Sequence, residues 1–84
     1  MSDVLAPTAT AVLAHIVRSI VDQPDAVAVS ATEGKGRVKL EVTVGAGDLG
    51  RVIGRRGRTA QSIRSVVRAA ATRDDVEVDV DFVD

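Results

Sequence analysis

Eight consecutive residues carry the chemistry of this chain: Gly50-Arg51-Val52-Ile53-Gly54-Arg55-Arg56-Gly57. Glycines let a polar chain approach the backbone at places where any side chain would stand in the way. The two arginines between Gly54 and Gly57 offer planar donors suited to phosphate oxygens. A helical pattern follows, and the first turn of a helix presents unbonded N–H groups with roughly half a positive charge. These are the parts of a clamp for a phosphate chain. A plain turn between two helices would use the same glycines, so the surroundings have to decide.

The chain has 84 residues and a formal net charge of -1, which taken alone argues against a nucleic-acid partner. The average conceals a segregation. No Asp or Glu lies between Leu49 and Arg73, whereas Arg51, Arg55, Arg56, Arg58, Arg64, Arg68 and Arg73 all fall there. Beyond Arg73 the sign reverses through Asp74, Asp75, Glu77, Asp79, Asp81 and Asp84. A phosphate responds to charge within a screening length of about 8 Å, so the local excess is what counts. A basic run can also be no more than a solvated face.

Other chemistries find no residues to work with. There is no cysteine, and the single His15 falls among Ala11, Arg18 and Ser19, off the apolar stripe and without a partner. The carboxylates sit mostly at alternating outward positions, so neither a nucleophile–base pair nor a metal cluster can be assembled. Gly45-Ala46-Gly47-Asp48-Leu49-Gly50 matches a dinucleotide-binding glycine pattern. The helix after it is broken at Gly54, however, and a chain of this length cannot supply a doubly wound sheet. The expectation is a binding module, not an enzyme, with no cofactor, metal or small-molecule substrate.

The elements that must position the clamp follow from periodicity. Met1 to Ala6 carries no pattern and reads as a loose terminus. From Pro7, the residues Val12, Leu13, Ile16, Val17, Ile20 and Val21 recur at helical spacing, with Thr8 or Thr10 available as a cap. Ala26 to Thr32 alternates weakly, Gly34-Lys35-Gly36 reads as a hairpin connection, and Arg37 to Val44 alternates strictly. Asp48 is placed to cap a short helix through Ile53 that Gly54 ends, and Gly50 to serve the strand-to-helix turn. Thr59 is placed to cap a second helix with the stripe Ala60, Ile63, Val66, Val67 and Ala70. Val76, Val78, Val80 and Phe82 then share one face of a last strand. One-sided strands and three amphipathic helices predict an α+β domain over 1–84, a three-stranded sheet covered on one face by three helices. Ala9 to Val17 is too short to span a membrane, no basic region precedes it, and the absence of cysteine fits a cytoplasmic protein.

Val52-Ile53-Gly54-Arg55-Arg56-Gly57-Arg58-Thr59-Ala60, followed by Ile63-Arg64-Ser65-Val66-Val67, resembles the signature loop and following helix of KH domains. The order α-β-β-α-α-β is similar to the type II, bacterial arrangement, and the resemblance to the KhpA family of small single-KH proteins runs from about Ala9 to Val83. It implies single-stranded RNA in a narrow groove, its backbone clamped at Gly54, Arg55, Arg56 and Gly57. It further implies a groove floor involving Ile53 and Val52, and flanking basic residues Arg51, Arg58, Arg64 and Arg68. The lack of Trp and Tyr fits a groove that does not rely on aromatic stacking. The resemblance also implies an RNA chaperone or post-transcriptional regulator that forms a homodimer or pairs with a KhpB/Jag-like protein. Two other readings stay open: a protein-interaction adaptor of KH fold without RNA binding, and an accessory of the ribosome or its assembly. A further open point is whether the acidic last strand overlooks the groove.

Overall fold

The structure is a computed structural model and describes residues 5–83. Helix α1 (Pro7–Ile20) begins at a proline, whose fixed φ already suits a first helical residue and whose missing N–H is not needed there. Ala9, Leu13 and Val17 are fully buried along its inner stripe, with Val12, Ile16 and Ile20 packed at the flanks. A single turn at Pro24–Ala26 delays the first strand, so β1 (Ala28–Gly34) starts two residues later than alternation alone predicts. Lys35-Gly36 makes a two-residue hairpin to β2 (Arg37–Thr43), with Gly34 opposite Arg37. Helices α2 (Leu49–Ile53) and α3 (Arg58–Ala71) follow, and then β3 (Glu77–Val83).

Strand β3 returns parallel to β2, giving the sheet order β1-β2-β3 with β1 and β3 at the edges. The registers align Val29, Val42 and Phe82 in one row and Ala31, Leu40 and Val80 in the next. These rows face the helices. Helix α1 packs on β1 and α3, while α3 packs on β3 and α2. Leu13, Val17, Leu40, Val42, Val52, Val67 and Val78 are sealed between the layers. Each such side chain contributes about 1.5–3 kcal/mol of burial, which is how a chain with one aromatic still builds a core. The shortest dimension, 19 Å, is that of one sheet and one helix layer, the expected α+β sandwich.

Two expected stripe positions of α3 are corrected, Ala70 being only half-buried and Val66 exposed. The buried stripe of α3 is Ala60, Ile63, Val67 and Ala71, whereas Val66 is 50% exposed. At 3.6 residues per turn Ala71 falls directly above Val67, and Val66 is rotated onto the flank.

The expected caps are corrected as well, and their replacements tie the layer together. Neither Thr8 nor Thr10 caps α1, which is preceded by Ala6 in a left-handed conformation (φ 50°, ψ 60°). The Thr8 and Ala9 N–H groups instead donate to the two carboxylate oxygens of Asp74, both at 2.9 Å, across 66 and 65 residues of sequence. Asp48 does not cap α2 with its side chain. It is 2% exposed and accepts the N–H groups of Asp22 (3.2 Å) and Gln23 (3.0 Å), just past the end of α1. The two carboxylates thus hold opposite ends of one helix. Of the expected loose terminus, residues 1–4 lie outside the described residues, while Leu5 packs against the core and Ala6 is buried.

Partial desolvation raises the Asp74 carboxyl, but the hydrogen bonds from the Ala9 and Thr8 N–H groups and the Thr8 hydroxyl outweigh it and hold the group below its ordinary value. A depressed carboxyl stabilises the fold above its unfolded pKa, near 4, and that contribution is lost as pH falls through the folded value. Asp74→Asn should therefore lower stability at pH 7 by about 0.5–2 kcal/mol, the range of a lost helix cap. The gap to the parent protein should close below about pH 4, as read by urea unfolding at several pH values.

Candidate nucleic-acid interface

Helix α2 ends because Gly54 turns to φ 74°, ψ 179°, a region essentially closed to other residues. Its N–H still bonds the Gly50 carbonyl at 2.9 Å. A Cβ at Gly54 would collide with Thr59, coming within 2.7 Å of the Thr59 Cβ and 3.0 Å of its backbone N as well as onto the hydroxyl. Glycine is therefore required there for conformation and for space. The Gly57 N–H closes the turn on the Gly54 carbonyl at 3.3 Å, with Arg56 (φ 56°, ψ 25°) and Gly57 (φ 73°, ψ 14°) left-handed. For arginine that conformation costs roughly 1–2 kcal/mol, a strain held by the packed helices on either side.

Helix α3 starts at Arg58 with no side-chain cap, so its opening N–H groups face the turn without a side-chain acceptor. Thr59, expected as the cap, lies inside the helix and forms the wall against Gly54 instead. Gly50, expected in the strand-to-helix turn, is a residue of α2 with open space around it. At the other end of that glycine run, the Cβ position of Gly45 is filled by the Gln23 side chain, 2.9 Å away. Gln23 also donates its Nε2 to the Ala46 carbonyl at 2.8 Å. The dinucleotide-like pattern thus closes on protein.

The predicted site residues separate into distinct surroundings. Arg55, Arg56 and Arg58 are exposed at the turn, and none has a carboxylate within ion-pair distance among the described residues. Arg51 turns away to Asp22 (2.9 Å) and Asp48 (3.6 Å). Val52 is fully buried and supports the turn from below, while Ile53 is half-buried beside it. Arg64 is half-buried against the edge of β3, its Nε donating to the Val80 carbonyl at 3.1 Å and its guanidinium carbon 5.2 Å from the centroid of the Phe82 ring. Arg68, one turn on, is exposed and borders a hollow of about 200 Å³ with Arg37, Thr72, Val76, Glu77 and Val78. Val80, in the core as its alternation predicts, and Phe82, partly buried against that core, complete this side through a carbonyl and a ring. The signal for Phe82 was its place at the end of an inward alternation.

Of the acidic strand, Glu77 reaches this surface, bordering the same hollow as Arg68. Glu77, Asp79 and Asp81 alternate onto the sheet face away from the helices. There Arg37 pairs with Glu77 (3.2 Å) and Asp79 (3.1 Å), and Lys39 with Asp81 (3.1 Å). The Asp81 hydrogen bond and charge, then Glu41, raise the Lys39 ammonium above its ordinary pKa. Of the two aspartates before β3, Asp74 is bound to α1, and Asp75 borders a second hollow with Lys35 and Glu77. No helix among the described residues is long and apolar enough to cross a membrane.

A sequence model described as "KhpA/KhpB, KH domain" matches residues 10–82. The chain belongs to the KhpA/KhpB KH-domain family. It is similar to a protein of Leifsonia xyli, 52% identical over 81% of this chain and 90% of that one. Proteins of Halalkalibacterium halodurans (44% identical, 83% and 92% covered) and Chlamydia trachomatis (38%, 86% and 92%) are also similar. Each of the three is named RNA-binding protein KhpA. Membership places the chain among binding modules, not enzymes. The span matched to the KH-domain family includes the whole turn and both helices that frame it.

The glycines of this turn and of α2 before it should respond unequally to alanine. Gly54→Ala meets both strain and collision and should destabilise by more than about 2 kcal/mol. Gly57→Ala meets strain in open space and should cost roughly 1–2 kcal/mol. Gly50→Ala, in a helix with nothing nearby, should stabilise by about 0.4–1 kcal/mol. Thermal or urea unfolding of the three variants checks the order.

Proposed function

We propose that this chain is an RNA-binding protein that holds single-stranded RNA by its backbone on the turn Gly54-Arg55-Arg56-Gly57. The observation that carries the reading is the uncapped start of α3 facing a strained glycine turn, with Arg55, Arg56 and Arg58 exposed there and unpaired among the described residues. Free guanidinium groups and backbone N–H groups aimed at one place are what a phosphate chain needs. The names of the relatives support the same ligand. On this reading the whole of 1–84 acts as one KH domain in the cytoplasm, as an RNA chaperone or post-transcriptional regulator. Ile53 lines the groove, Arg58, Arg64 and Arg68 flank it, and Val52 and Arg51 shape the turn.

A single clamp engages few phosphates, and each contributes a slope of only about -0.7 in log affinity against log salt on single strands. Binding is accordingly weak and salt-sensitive, and gains from a second KH domain through effective concentration. We propose a partner of that kind, either a second copy or a KhpB-like chain.

Replacing Arg55 and Arg56 with Asp should weaken binding to a mixed single-stranded RNA pool by more than about 10-fold. It should also flatten the salt slope by roughly 1.4, for two lost phosphate contacts. Fluorescence anisotropy across a salt series reads both. Unchanged binding by a folded variant would sink the clamp. Partner complexes captured before and after ribonuclease, from both proteins, test the adaptor reading, which expects indifference to either treatment.

A further inference from the structure

Arg64 is held unlike the other arginines of the surface. Its Nε is fixed on the Val80 carbonyl at 3.1 Å, and its guanidinium lies over Phe82, the one aromatic ring of the chain, at 5.2 Å. Two contacts therefore hold the head of the side chain against β3. Its terminal amino groups have neither a hydrogen-bond acceptor nor a carboxylate partner among the described residues. Strand β3 is an edge strand, so the Val80 carbonyl lies at the border of the sheet, and Arg64 fills the seam between that border and α3. It lies seven residues beyond Gly57, about 10 Å along the helix from the turn. That is too far to share the phosphates at the turn and near enough to meet a base of the same strand.

We infer that Arg64 is a specificity-determining residue, its fixed donor pair reading a nucleobase with two adjacent acceptors, guanine through O6 and N7 or cytosine through O2 and N3. The inference rests on RNA lying along the turn and names what that site prefers. Adenine places an amino donor beside its N7, and uracil places an N–H between its carbonyls, so either would set a donor against a donor. An arginine waving in solvent would favour phosphate and read no sequence. Holding the guanidinium in place before RNA arrives is what makes the donor pair selective.

The test is selection from a randomised single-stranded RNA octamer pool, followed by anisotropy on the selected sequence and on versions with one base exchanged. The parent protein should enrich guanine or cytosine at one position, and exchange to adenine or uracil should weaken binding by roughly 5-fold to 100-fold. Arg64→Lys keeps the charge and loses the planar pair. It should reduce that discrimination to within about 2-fold while leaving the salt slope unchanged, clearly short of the ~0.7 that one lost phosphate contact would remove. Phe82→Leu, which keeps Arg64 and removes the ring, should reduce the discrimination in part, and stands in if the lysine variant does not fold. A uniform loss across all sequences with a flatter slope would assign Arg64 to phosphate and overturn the inference. RNA binding by the parent without any such preference would overturn it alone. Absence of RNA binding by the parent would overturn the clamp and this inference together.

Discussion

The contact of Gly54 with Thr59 is the constraint on which the candidate site depends. With no room for a Cβ between them, the end of α2 lies directly on the first turn of α3, and the chain reverses within Gly54–Gly57. The reversal puts Arg56 in a conformation that arginine disfavours and leaves the first N–H groups of α3 without a side-chain cap. A longer, relaxed loop would let a side chain fold back to cap the helix, and the positive end would be neutralised internally. The shortness of the turn leaves that end without a side-chain acceptor, the Arg58 N–H alone being taken up within the turn by the Arg55 carbonyl.

The turn is held in place by a layer whose anchors are remote in sequence. Asp74 binds the beginning of α1 and Asp48 the stretch after its end, so the helix is fixed to the segments on both sides of the α2–α3 pair. This explains which parts of the fold could be read directly. Period-two alternation in Arg37 to Thr43 and in Glu77 to Val83, and paired apolar spacing in α1, are properties of neighbouring residues, and they gave the elements, the inward faces and the two-layer form. Caps are also usually local, which is why Asp48, Thr8 and Thr59 were assigned to their own helices. Here the N–H groups of α1 met a carboxylate 65 residues away, and no local rule contains that distance. Val66 differs for a smaller reason, since two adjacent valines leave the rotation of a helix ambiguous until the sheet beneath it is placed.

Charge shows the same division. The alternation in β3 was enough to put Glu77, Asp79 and Asp81 on one face, and the acid-free run marked the arginines. That those acids are neutralised depended on β3 lying parallel beside β2, which brings Arg37 and Lys39 alongside them. The pairing is across exposed strands and adds little stability. Its consequence lies elsewhere: these acids have cations of their own on the far face, and Arg55, Arg56 and Arg58 are not drawn into covering them. Arg51 belongs to the same run and is drawn off, because the loop after α1 sets Asp22 within 2.9 Å of it. Neighbours in sequence thus acquire different roles from the loop that passes over them.

A chain of net charge -1 that binds a polyanion, as proposed, has to separate affinity from selectivity in space. Phosphate contacts are blind to sequence, and more arginines at the turn would only deepen the dependence on salt. Selectivity requires groups whose orientation is settled before the ligand arrives, and flexible surface side chains do not meet that condition. The seam between α3 and β3 does, because the free edge of the sheet supplies a carbonyl and the chain's single aromatic ring supplies a plane. Phe82 belongs to the inward row with Val29 and Val42, so the ring that orients Arg64 is itself oriented by the core. Packing between the layers is in this way transmitted to the surface, and a core built almost wholly of valine, leucine and alanine places its one large ring where a guanidinium needs a rigid backing.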